Sequence, residues 1–360
     1  MRTLTTLFTG AVLCSSLIAQ GVITRIAPDG AHHFYYNGEL ATAVADANLT
    51  TEVDTILLGG GDYFLTQQLE LNQPAVLIGT GVRQDSSAAY LGRTYITKNG
   101  GNWNLTITET ADGSELHGIE FQSLVDVVLG STNATSDVDD VKITRCRIEE
   151  LRLSPSANSL ANNTVIEECV LRNLMVNNAV NTQVRNTLLN QVTGAGSNSQ
   201  TEFQHCVFHN FNFSNSNGNG NVRYVNNVML KLNTAPFQVN EPSIYEYNLF
   251  AGSGGTYNTT FATGIANTGN TSVASIDTAF VANNNINPNA YSITADYHLL
   301  PAYQVIGEGG AQPGIYGGAD PWKEGQIPFT PHWIELYTPN TNTVNGVLQG
   351  VHIKASAQQH

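Results

Sequence analysis

The chain contains few charged residues for its length, and basic residues are the scarcer kind. Charged side chains make up 12% of its 360 residues, about half of the one quarter that is usual for a globular domain. Its 15 Lys and Arg residues face 29 Asp and Glu residues, which gives a net charge of −14. The absence of basic clusters argues against binding to nucleic acid or to an anionic membrane surface. The same acidity would repel an acidic glycan unless calcium or a local Arg/Lys cluster intervened.

Long apolar runs are missing beyond the N-terminus. Met1–Ala19 combines a positive charge at Arg2, an apolar stretch over residues 7–17 and a small residue at the end, which is the pattern of a secretory signal peptide. A buried N-terminal helix and a lipid anchor at Cys14 are the alternatives. No later run approaches the roughly 18 apolar residues of a membrane span. The sequence therefore predicts a secreted or cell-surface protein with a signal peptide at residues 1–19 and no transmembrane segment after it.

The remainder is rich in Asn, Thr and Gly and carries a short repeat between Val141 and Phe250. Six imperfect copies share an apolar residue, two variable residues, a small or polar residue, one further variable residue and another apolar residue. A repeat of about twenty residues built from short β-type segments is typical of a solenoid. The small position, which we call the small column, recurs at spacings of 23, 18, 19, 21 and 21 residues and is occupied by Cys146, Cys169, Thr187, Cys206, Asn227 and Asn248.

Cysteine is scarce, and its placement predicts a structural role. The three cysteines that follow the signal peptide all lie in the small column. An odd number in an exported protein can indicate a reactive thiol, but the shared position favours small side chains stacked in the interior. A disulfide between Cys146 and Cys169 is geometrically allowed and not required. The apolar positions three residues before the small column, and two and five residues after it, predict three further ladders in the core.

The columns one and two residues before the small column are predicted to face outward, and the second of them contains Glu167 and Arg185. The residue directly before each small position is Arg145, Glu168, Asn186, His205, Asn226 or Tyr247. Arg145 would pair with Glu168, and Glu167 with Arg185, as ordinary ion pairs between neighbouring coils. The alternative is a glycan-facing strip whose guanidinium groups contact carboxylates and whose members are Arg145, Arg147, Arg172 and Arg185.

The column directly after the small column is mostly apolar. Arg147 is followed there by the five residues that we call the outer row: Val170, Leu188, Val207, Val228 and Leu249. An exposed apolar row of this length is unusual in a soluble monomer. We therefore predict a cover, provided by the C-terminal tail or by self-association with another subunit through the outer row. The rival interpretation is that the inward and outward assignments shift by one residue here.

The flanking segments complete the predicted architecture. Glu39–Ala47 has helical spacing and would cap the first coil, because an open coil end exposes unpaired backbone groups. We predict an all-β parallel β-helix over residues 20–320, with the capping helix at 39–47 and the most regular coils at 141–250. Residues 321–360 would form a proline-containing linker and a short C-terminal β tail.

Two details of the C-terminal half are also predicted. One further coil is expected around Ser275–Val281, followed by segments that close the stack. In the tail, Asn345-Gly346 is a two-residue sequence of the kind that favours a β-hairpin turn.

Beyond the coils, two stretches are distinctive: the closing segment DYHLLPAYQVIGEGGAQPGIYGGADPW, and the tail with IPFTPHWIELYTP and GVLQGVHIKA. Together with the coils, they make the chain similar to exported right-handed parallel β-helix proteins of Bacteroidetes-type bacteria, in the pectin-lyase-like superfamily. The resemblance covers nearly all of the chain after the signal peptide and implies a right-handed β-helix. That superfamily includes polysaccharide lyases and hydrolases as well as adhesins and structural fibres, so the resemblance does not fix a function.

A lyase of that superfamily would need calcium and an Arg or Lys base. Hard oxygen ligands suit calcium, and the candidate ligands are Asp137, Asp139 and Asp140, in the loop before the first cysteine coil. The candidate bases are Arg145, Arg147, Arg172 and Arg185. A histidine alternative is His205 with His209, although we expect both at the surface or at a coil edge. A solvated acidic loop is the plainer interpretation of the aspartates.

Polygalacturonases of that superfamily use clustered Asp residues, a His-Gly pair and an Arg-x-Lys sequence, in that order along the chain. Here His117-Gly118 precedes Asp139-Asp140 and no Arg-x-Lys follows, so the pattern is incomplete. We therefore predict an exported or cell-surface protein that is non-catalytic and either binds a polysaccharide or cell-surface glycan or serves as a surface or matrix component. The alternative is a polysaccharide-active enzyme, namely a calcium-assisted lyase of an acidic polysaccharide rather than a glycoside hydrolase.

Overall fold

Short runs of β-branched and aromatic residues alternate with Asn- and Gly-containing corners, and such runs favour strands. In the computed structural model they coil into an all-β parallel β-solenoid of about 7 turns with little helix. The structure describes residues 22–82, 93–98, 100–122, 124–130, 136–154, 156, 159–194, 199–209, 221–231, 237–239, 243–252, 259–261, 265–287, 291–292, 295–323, 332–337, 343–344, 347–348 and 352–356. The predicted signal peptide lies outside these residues.

Two long sheets form the walls of the solenoid. The first sheet has 12 strands in the order His32–Tyr36, Val22–Ile26, Asp54–Leu58, Ala75–Ile78, Glu115–His117, Lys142–Thr144, Val165–Glu167, Thr182–Arg185, Gln200–Gln204, Asn221–Val225, Ile244–Glu246 and Ala266–Thr268. The second sheet has 13 strands: Gly61–Leu65, Leu69–Leu71, Thr94–Lys98, Leu105–Ile107, Glu120–Phe121, Val127–Leu129, Arg147–Leu153, Val170–Val176, Leu188–Thr193, Val207–Phe208, Val228–Lys231, Leu249–Gly252 and Thr271–Val273.

Shorter sheets complete the strand inventory. A third sheet of the solenoid contains Val138–Asp139, Ala161–Asn162 and Ala179–Val180, and Phe237–Val239 pairs in parallel with Thr259–Phe261. The C-terminal tail contains two antiparallel pairs, His332–Tyr337 with His352–Ser356 and Thr343–Val344 with Val347–Leu348. The second pair flanks Asn345-Gly346, as the hairpin prediction requires, although these two residues are not among the described ones.

The predicted ladders are confirmed wherever the structure describes them. Each member pairs in register with the equivalent residue of the next coil, and the first ladder contains Leu116, Ile143, Ile166, Val184, Phe203, Tyr224 and Tyr245. The second contains Ile148, Leu171, Leu189, Phe208, Met229 and Phe250. The third contains Leu151, Leu174 and Val192, whereas its predicted members Phe211 and Leu232 lie outside the described residues.

Aromatic stacking strengthens the first ladder near its C-terminal end. The rings of Phe203 and Tyr224 are 5.2 Å apart and those of Tyr224 and Tyr245 are 4.9 Å apart, with planes 9° from parallel in both cases. These separations match the roughly 4.8 Å between neighbouring strands. The coil spacing therefore holds the rings at stacking distance.

The small column is the most completely buried line of residues, and its cysteines are free thiols. Burial raises the pKa of Cys146 and of Cys206 to about 12, which disfavours the reactive thiolate. The prediction of stacked core cysteines is confirmed. Towards the C-terminus the column becomes an asparagine ladder, in which Asn227, Asn248 and Asn270 bond side chain to side chain at 3.0 Å.

The column directly before the small column forms the corner between the two long sheets, not an outward strand face as predicted. Its members have left-handed backbone angles, with φ between 45° and 66°, and they are Gly118, Arg145, Glu168, Asn186, His205, Asn226, Tyr247 and Gly269. The corner turns most of their side chains against other parts of the protein. Non-glycine residues persist in this conformation only where neighbouring structure holds them, so each one indicates a local partner.

The predicted helix is present at Leu40–Ala47 and follows a 3-10 turn at Asn37–Glu39. Its apolar face, formed by Leu40, Ala43, Val44 and Ala47, is buried in the same core as the first strands. Among the described residues, no helix has the length and apolar character that a membrane crossing would need.

The outer row is covered by its own chain. After the last strand of the second sheet, the described residues 274–287, 291–292 and 295–323 lie along the outside of that sheet, and we call them the strap. Its 3-10 turns are Ile276–Thr278, Pro301–Tyr303 and Glu308–Gly310, so the coil predicted around Ser275–Val281 is not formed. The outer row is at most 5% exposed beneath strap residues that include Ile276, Phe280, Tyr297, Leu299, Ile315 and Trp322.

This cover decides between the interpretations of the outer row. The row faces outward, so the inward and outward assignments do not shift, and the cover comes from the segment before the predicted tail. Self-association stays a prediction about the assembly. The five side chains of the row are buried by the strap and would not provide its contact surface.

Candidate functional site

The corner column has a structural role where it lies beneath the strap. In the coils beneath the strap, its side chains bond to the strap backbone. Asn186 donates from Nδ2 to the carbonyls of Ile315 and Gly317, at 2.8 Å each. Asn226 accepts the backbone N–H of Glu308 at its Oδ1, at 2.8 Å. These buried contacts fix the path of the strap over the outer row.

The two candidate histidines also hold the strap. The Nδ1 atom of His205 lies 2.9 Å from the carbonyl of Gln312. The Nδ1 atom of His209 lies 3.0 Å from the carbonyl of Asn287, and its Nε2 atom lies 2.8 Å from the hydroxyl of Tyr297. Both histidines are at most 5% exposed, so the expectation that they lie at the surface is wrong. His205 does lie at a coil edge, because it is a corner residue with a left-handed φ of 54°. Burial lowers the pKa of His205 and so disfavours its charged form.

Arg145 and Arg185 belong to structural ion pairs, as the cross-strand interpretation predicts. The guanidinium of Arg145 is 2% exposed and meets the carboxylate of Glu168 through Nε and Nη2, both at 3.1 Å. This two-point contact joins two corner residues of neighbouring coils. Arg185 lies on the first sheet, 3.5 Å from Glu167. Neither guanidinium therefore shares a surface with Arg147 and Arg172, which lie on the second sheet.

The three candidate calcium ligands do not share a common partner. Asp137 accepts the backbone N–H of Leu160, Asp139 accepts the side-chain amide of Asn162, and Asp140 accepts that of Asn163. Asp140 is itself a left-handed corner residue, with φ 59°. Within the described part of the chain, no three His, Cys, Asp or Glu side chains are placed to hold a metal ion. A calcium site at these aspartates stays a prediction.

A cleft of about 290 Å³ lies on the outer face of the second sheet, beside Tyr291 of the strap. Its floor continues the column of the outer row towards the N-terminus, because Tyr95, Glu120, Arg147 and Val170 pair in register. Tyr291 of the strap forms a wall. The polar and aromatic residues that line the cleft are Tyr95, Glu120, Phe121, Gln122, Arg147, Glu149, Arg172, Asn190, His209 and Tyr291.

Ion pairs organise the charged side chains of the cleft. The Glu120 carboxylate is almost buried and bridges two arginines, with Oε2 2.8 Å from Arg93 Nη1 and Oε1 3.1 Å from Arg147 Nη1. Arg172 pairs with Glu149. The guanidinium of Arg147 also lies 5.7 Å from the ring centre of Tyr291, within the range of a cation–π contact.

Comparison with known protein families and with curated proteins finds no match to this chain.

A second hollow of about 260 Å³ adjoins the cleft along the same face and shares Glu149 and Arg172 with it. Its other lining residues are Asp126, Glu150, Asn173 and Gln191. Arg152 lies beside it and contacts Asp126 at 2.9 Å and Glu150 at 2.5 Å. Burial raises the pKa of Asp126, and the neighbouring Arg152 opposes this effect. The two hollows together form an elongated groove across several coils.

The repeat in the sequence could have indicated Glu120 and Tyr95 as site residues, but not Tyr291. Extending the small column upstream places Ile119 in it, so Glu120 falls next to Arg147 of the following coil. Tyr95 then follows from one further coil. Tyr291 carries no such signal, because it lies in the non-repetitive strap. Of the arginine strip, only Arg147 and Arg172 reach the cleft.

The groove combines half-buried aromatic rings with carboxylate, guanidinium and amide groups. A few placed polar groups beside apolar surface are what small-ligand sites generally use to orient a ligand. Tyrosine rings provide flat surface at low conformational cost, while carboxylates accept and guanidinium groups donate hydrogen bonds. This arrangement suits a flat, hydroxyl-rich ligand that runs along the coils.

Proposed function

We propose that this protein is an exported, non-catalytic β-solenoid that binds a glycan in the cleft on its second sheet. The observation that carries the proposal is the pairing of Tyr95 and Tyr291 with charged and amide side chains in one cleft of about 290 Å³. A sugar ring presents an apolar C–H face to an aromatic ring and hydroxyl groups to polar neighbours. The continuous groove would accommodate several sugar units along the solenoid.

The engagement of the candidate catalytic groups favours binding over chemistry. The ring nitrogens of His209 are within hydrogen-bonding distance of strap atoms, and Arg145 is enclosed in an ion pair. A general base must be able to reach a proton of the substrate. Groups that are committed to holding the fold together are poorly placed for that task.

A glycan microarray followed by isothermal titration calorimetry tests the proposal. We expect binding of at least one polysaccharide, and a loss of about tenfold in affinity, equal to 1.4 kcal/mol, when Tyr95→Ala or Tyr291→Ala removes a ring from the cleft. Tyr36→Ala is the matched control, because Tyr36 is 67% exposed on the first sheet, outside the cleft. Equal affinities of all four proteins would show that the cleft is not the binding site, and a lack of any binding would refute the function.

The alternative function is a calcium-assisted lyase of an acidic polysaccharide. The observation that favours this alternative is the exposure of Arg172 beside the cleft. Its side chain is 69% exposed, which makes it the most accessible of the candidate bases. Incubation with pectate, alginate and glycosaminoglycans, with and without calcium, would then produce unsaturated uronates that absorb ultraviolet light. An Arg172→Ala variant would have to abolish that product. No product from any of these substrates would eliminate the alternative for them.

The finer features of the fold and its location belong to the same proposal. The resemblance to exported pectin-lyase-like proteins supports a right-handed coil, and the packing of Leu40–Ala47 against the first strands supports a capping role for the helix. Export would place the protein in the medium or at the cell surface. Mass spectrometry of the protein from the extracellular fraction should find an N-terminus at Gln20, whereas retention of residues 1–19 would contradict cleavage.

A further inference from the structure

We infer that the cleft selects uncharged glycans over uronate-containing ones, because the guanidinium groups around it are already neutralised by carboxylates. This inference rests on the glycan-binding function proposed above and names the class of ligand. It runs against the first expectation for a groove that contains several arginines, since arginine is a common partner for anions.

The first ion pair is fixed in place. Both oxygens of Glu120 are engaged, at 2.8 Å from Arg93 and 3.1 Å from Arg147, and its side chain is only 5% exposed. A ligand carboxylate that approached Arg147 would come close to this immobile negative charge. The attraction to Arg147 would therefore be offset by repulsion from Glu120.

The same balance extends along the groove. Arg172 is paired with Glu149, and Arg152 lies between Asp126 and Glu150. The groove and its edges thus combine four guanidinium groups with four carboxylates: Arg93, Arg147, Arg152 and Arg172 against Glu120, Asp126, Glu149 and Glu150. These charges sum to zero on a chain whose net charge is −14. A polyanion therefore meets no attractive field.

Hydroxyl groups match this surface better than carboxylates do. A sugar hydroxyl can donate to the carboxylate of Glu149 and also accept from the guanidinium of Arg172, whereas an ionised uronate group can only accept. Arg172 is well exposed beside its partner, so a hydroxyl can reach both charges without separating them. A uronate would have to displace Glu149 and leave that charge next to its own.

Matched polymers provide the test. Polygalacturonate and alginate are each compared with the same polysaccharide after chemical reduction of its carboxylates to primary alcohols. Neutral xylan, mannan and β-glucan are measured alongside them. Binding is measured by microarray and calorimetry at low ionic strength, where charge effects are largest. We expect the polymers that bind to be uncharged. If a uronate polymer and its reduced form both bind, the reduced form should bind at least about fivefold more tightly.

A charge variant tests the cause of the selectivity. Glu149→Gln leaves Arg172 without its carboxylate, and we expect the affinity for the uronate polymers to rise by about five- to tenfold. Glu167→Gln is the control, because it removes the carboxylate beside Arg185 on the first sheet, away from the cleft. It should leave the affinities for the uronate polymers and for their reduced forms unchanged.

The outcomes separate this inference from the function on which it rests. Tighter binding of uronate polymers than of their reduced forms would overturn the inference and leave glycan binding intact. An unchanged affinity of the Glu149→Gln variant for uronates would also overturn it, because the ion pair would not be the barrier. A failure to bind any glycan would refute the proposed function, and the inference with it.

Discussion

Asn248 lies in the middle of the asparagine ladder, and Asn248→Ala tests whether hydrogen bonds hold the small column together. Its buried side chain accepts the backbone N–H and one side-chain N–H of Asn227, at 2.9 and 3.0 Å, and it donates to the carbonyl of Tyr224 and to Asn270, at 2.9 and 3.0 Å. An orphaned buried donor costs about 1–3 kcal/mol and each further lost bond about 0.5–1.5 kcal/mol. We therefore expect the free energy of unfolding to fall by about 2–5 kcal/mol.

Cys206→Ala is the informative comparison, because Cys206 occupies the same column and is equally buried. Its thiol makes only weak contacts, to the carbonyls of Val184 and Gln204 at 3.4 Å. Loss of the buried sulfur atom should lower the free energy of unfolding by about 1 kcal/mol. Urea denaturation, followed by circular dichroism, measures both losses. Asn267→Ala, at an exposed asparagine, is the control and should change stability by less than about 0.5 kcal/mol.

Amide hydrogen exchange provides a local readout of the same change. The backbone N–H of Asn227 donates to Asn248 Oδ1, so its exchange should accelerate in the Asn248→Ala protein and remain slow in the Cys206→Ala protein. Equal losses of stability in the two variants would refute the reasoning. That result would mean that volume, and not hydrogen bonding, determines the contribution of this column.

Three further predictions concern the strap, acid and the thiols. Asn186→Gly keeps the left-handed corner but removes two buried hydrogen bonds to the strap, so amide exchange across residues 274–323 should accelerate about tenfold or more while the ladders stay protected. Burial lowers the pKa of His117 and of His205 below 6.5, so the unfolded chain binds protons that the folded chain does not. Their contribution to stability is complete above pH 6.5 and is lost as the pH falls below it, which urea denaturation between pH 7.5 and 5 should detect. The described cysteines are buried with raised pKa values and should react with a thiol reagent only after unfolding.

Each of these predictions has a result that contradicts it. Unchanged exchange in the strap of the Asn186→Gly protein would mean that apolar packing alone holds the segment. Stability that rises or stays constant on acidification through pH 6.5 would mean that the buried imidazoles are protonated in the folded state. Rapid labelling of the native protein by the thiol reagent would show that the small column opens to solvent.

The ladders were predictable because a solenoid repeats the same environment in every coil. Residues such as Ile143 and Ile148 recur at fixed distances from the small column, and the pattern alone sets which side chains stack. The corner was not predictable by the same logic. Alternation along a strand assigns the residue before Cys146 to the outer face, but a left-handed φ of 53° at Arg145 turns the chain there.

The strap explains why the candidate site was only partly predictable from the sequence. The outer row predicted that something covers it, since exposed apolar rows are rare, but the row contains no information on which segment does so. The strap has no repeat, and its apolar residues are spaced irregularly between turns. Tyr291 and the partners of His209 therefore become apparent only when the strap is placed on the sheet.

The central claim, that a glycan occupies the cleft beside Tyr291 of the strap, is tested most directly by hydroxyl-radical footprinting with a polysaccharide that binds on the array. Oxidation of tyrosine side chains is measured by mass spectrometry with and without the glycan. We predict that Tyr95 and Tyr291 become protected while the exposed Tyr36 does not change. Unchanged oxidation of both cleft tyrosines under saturating glycan would contradict the claim.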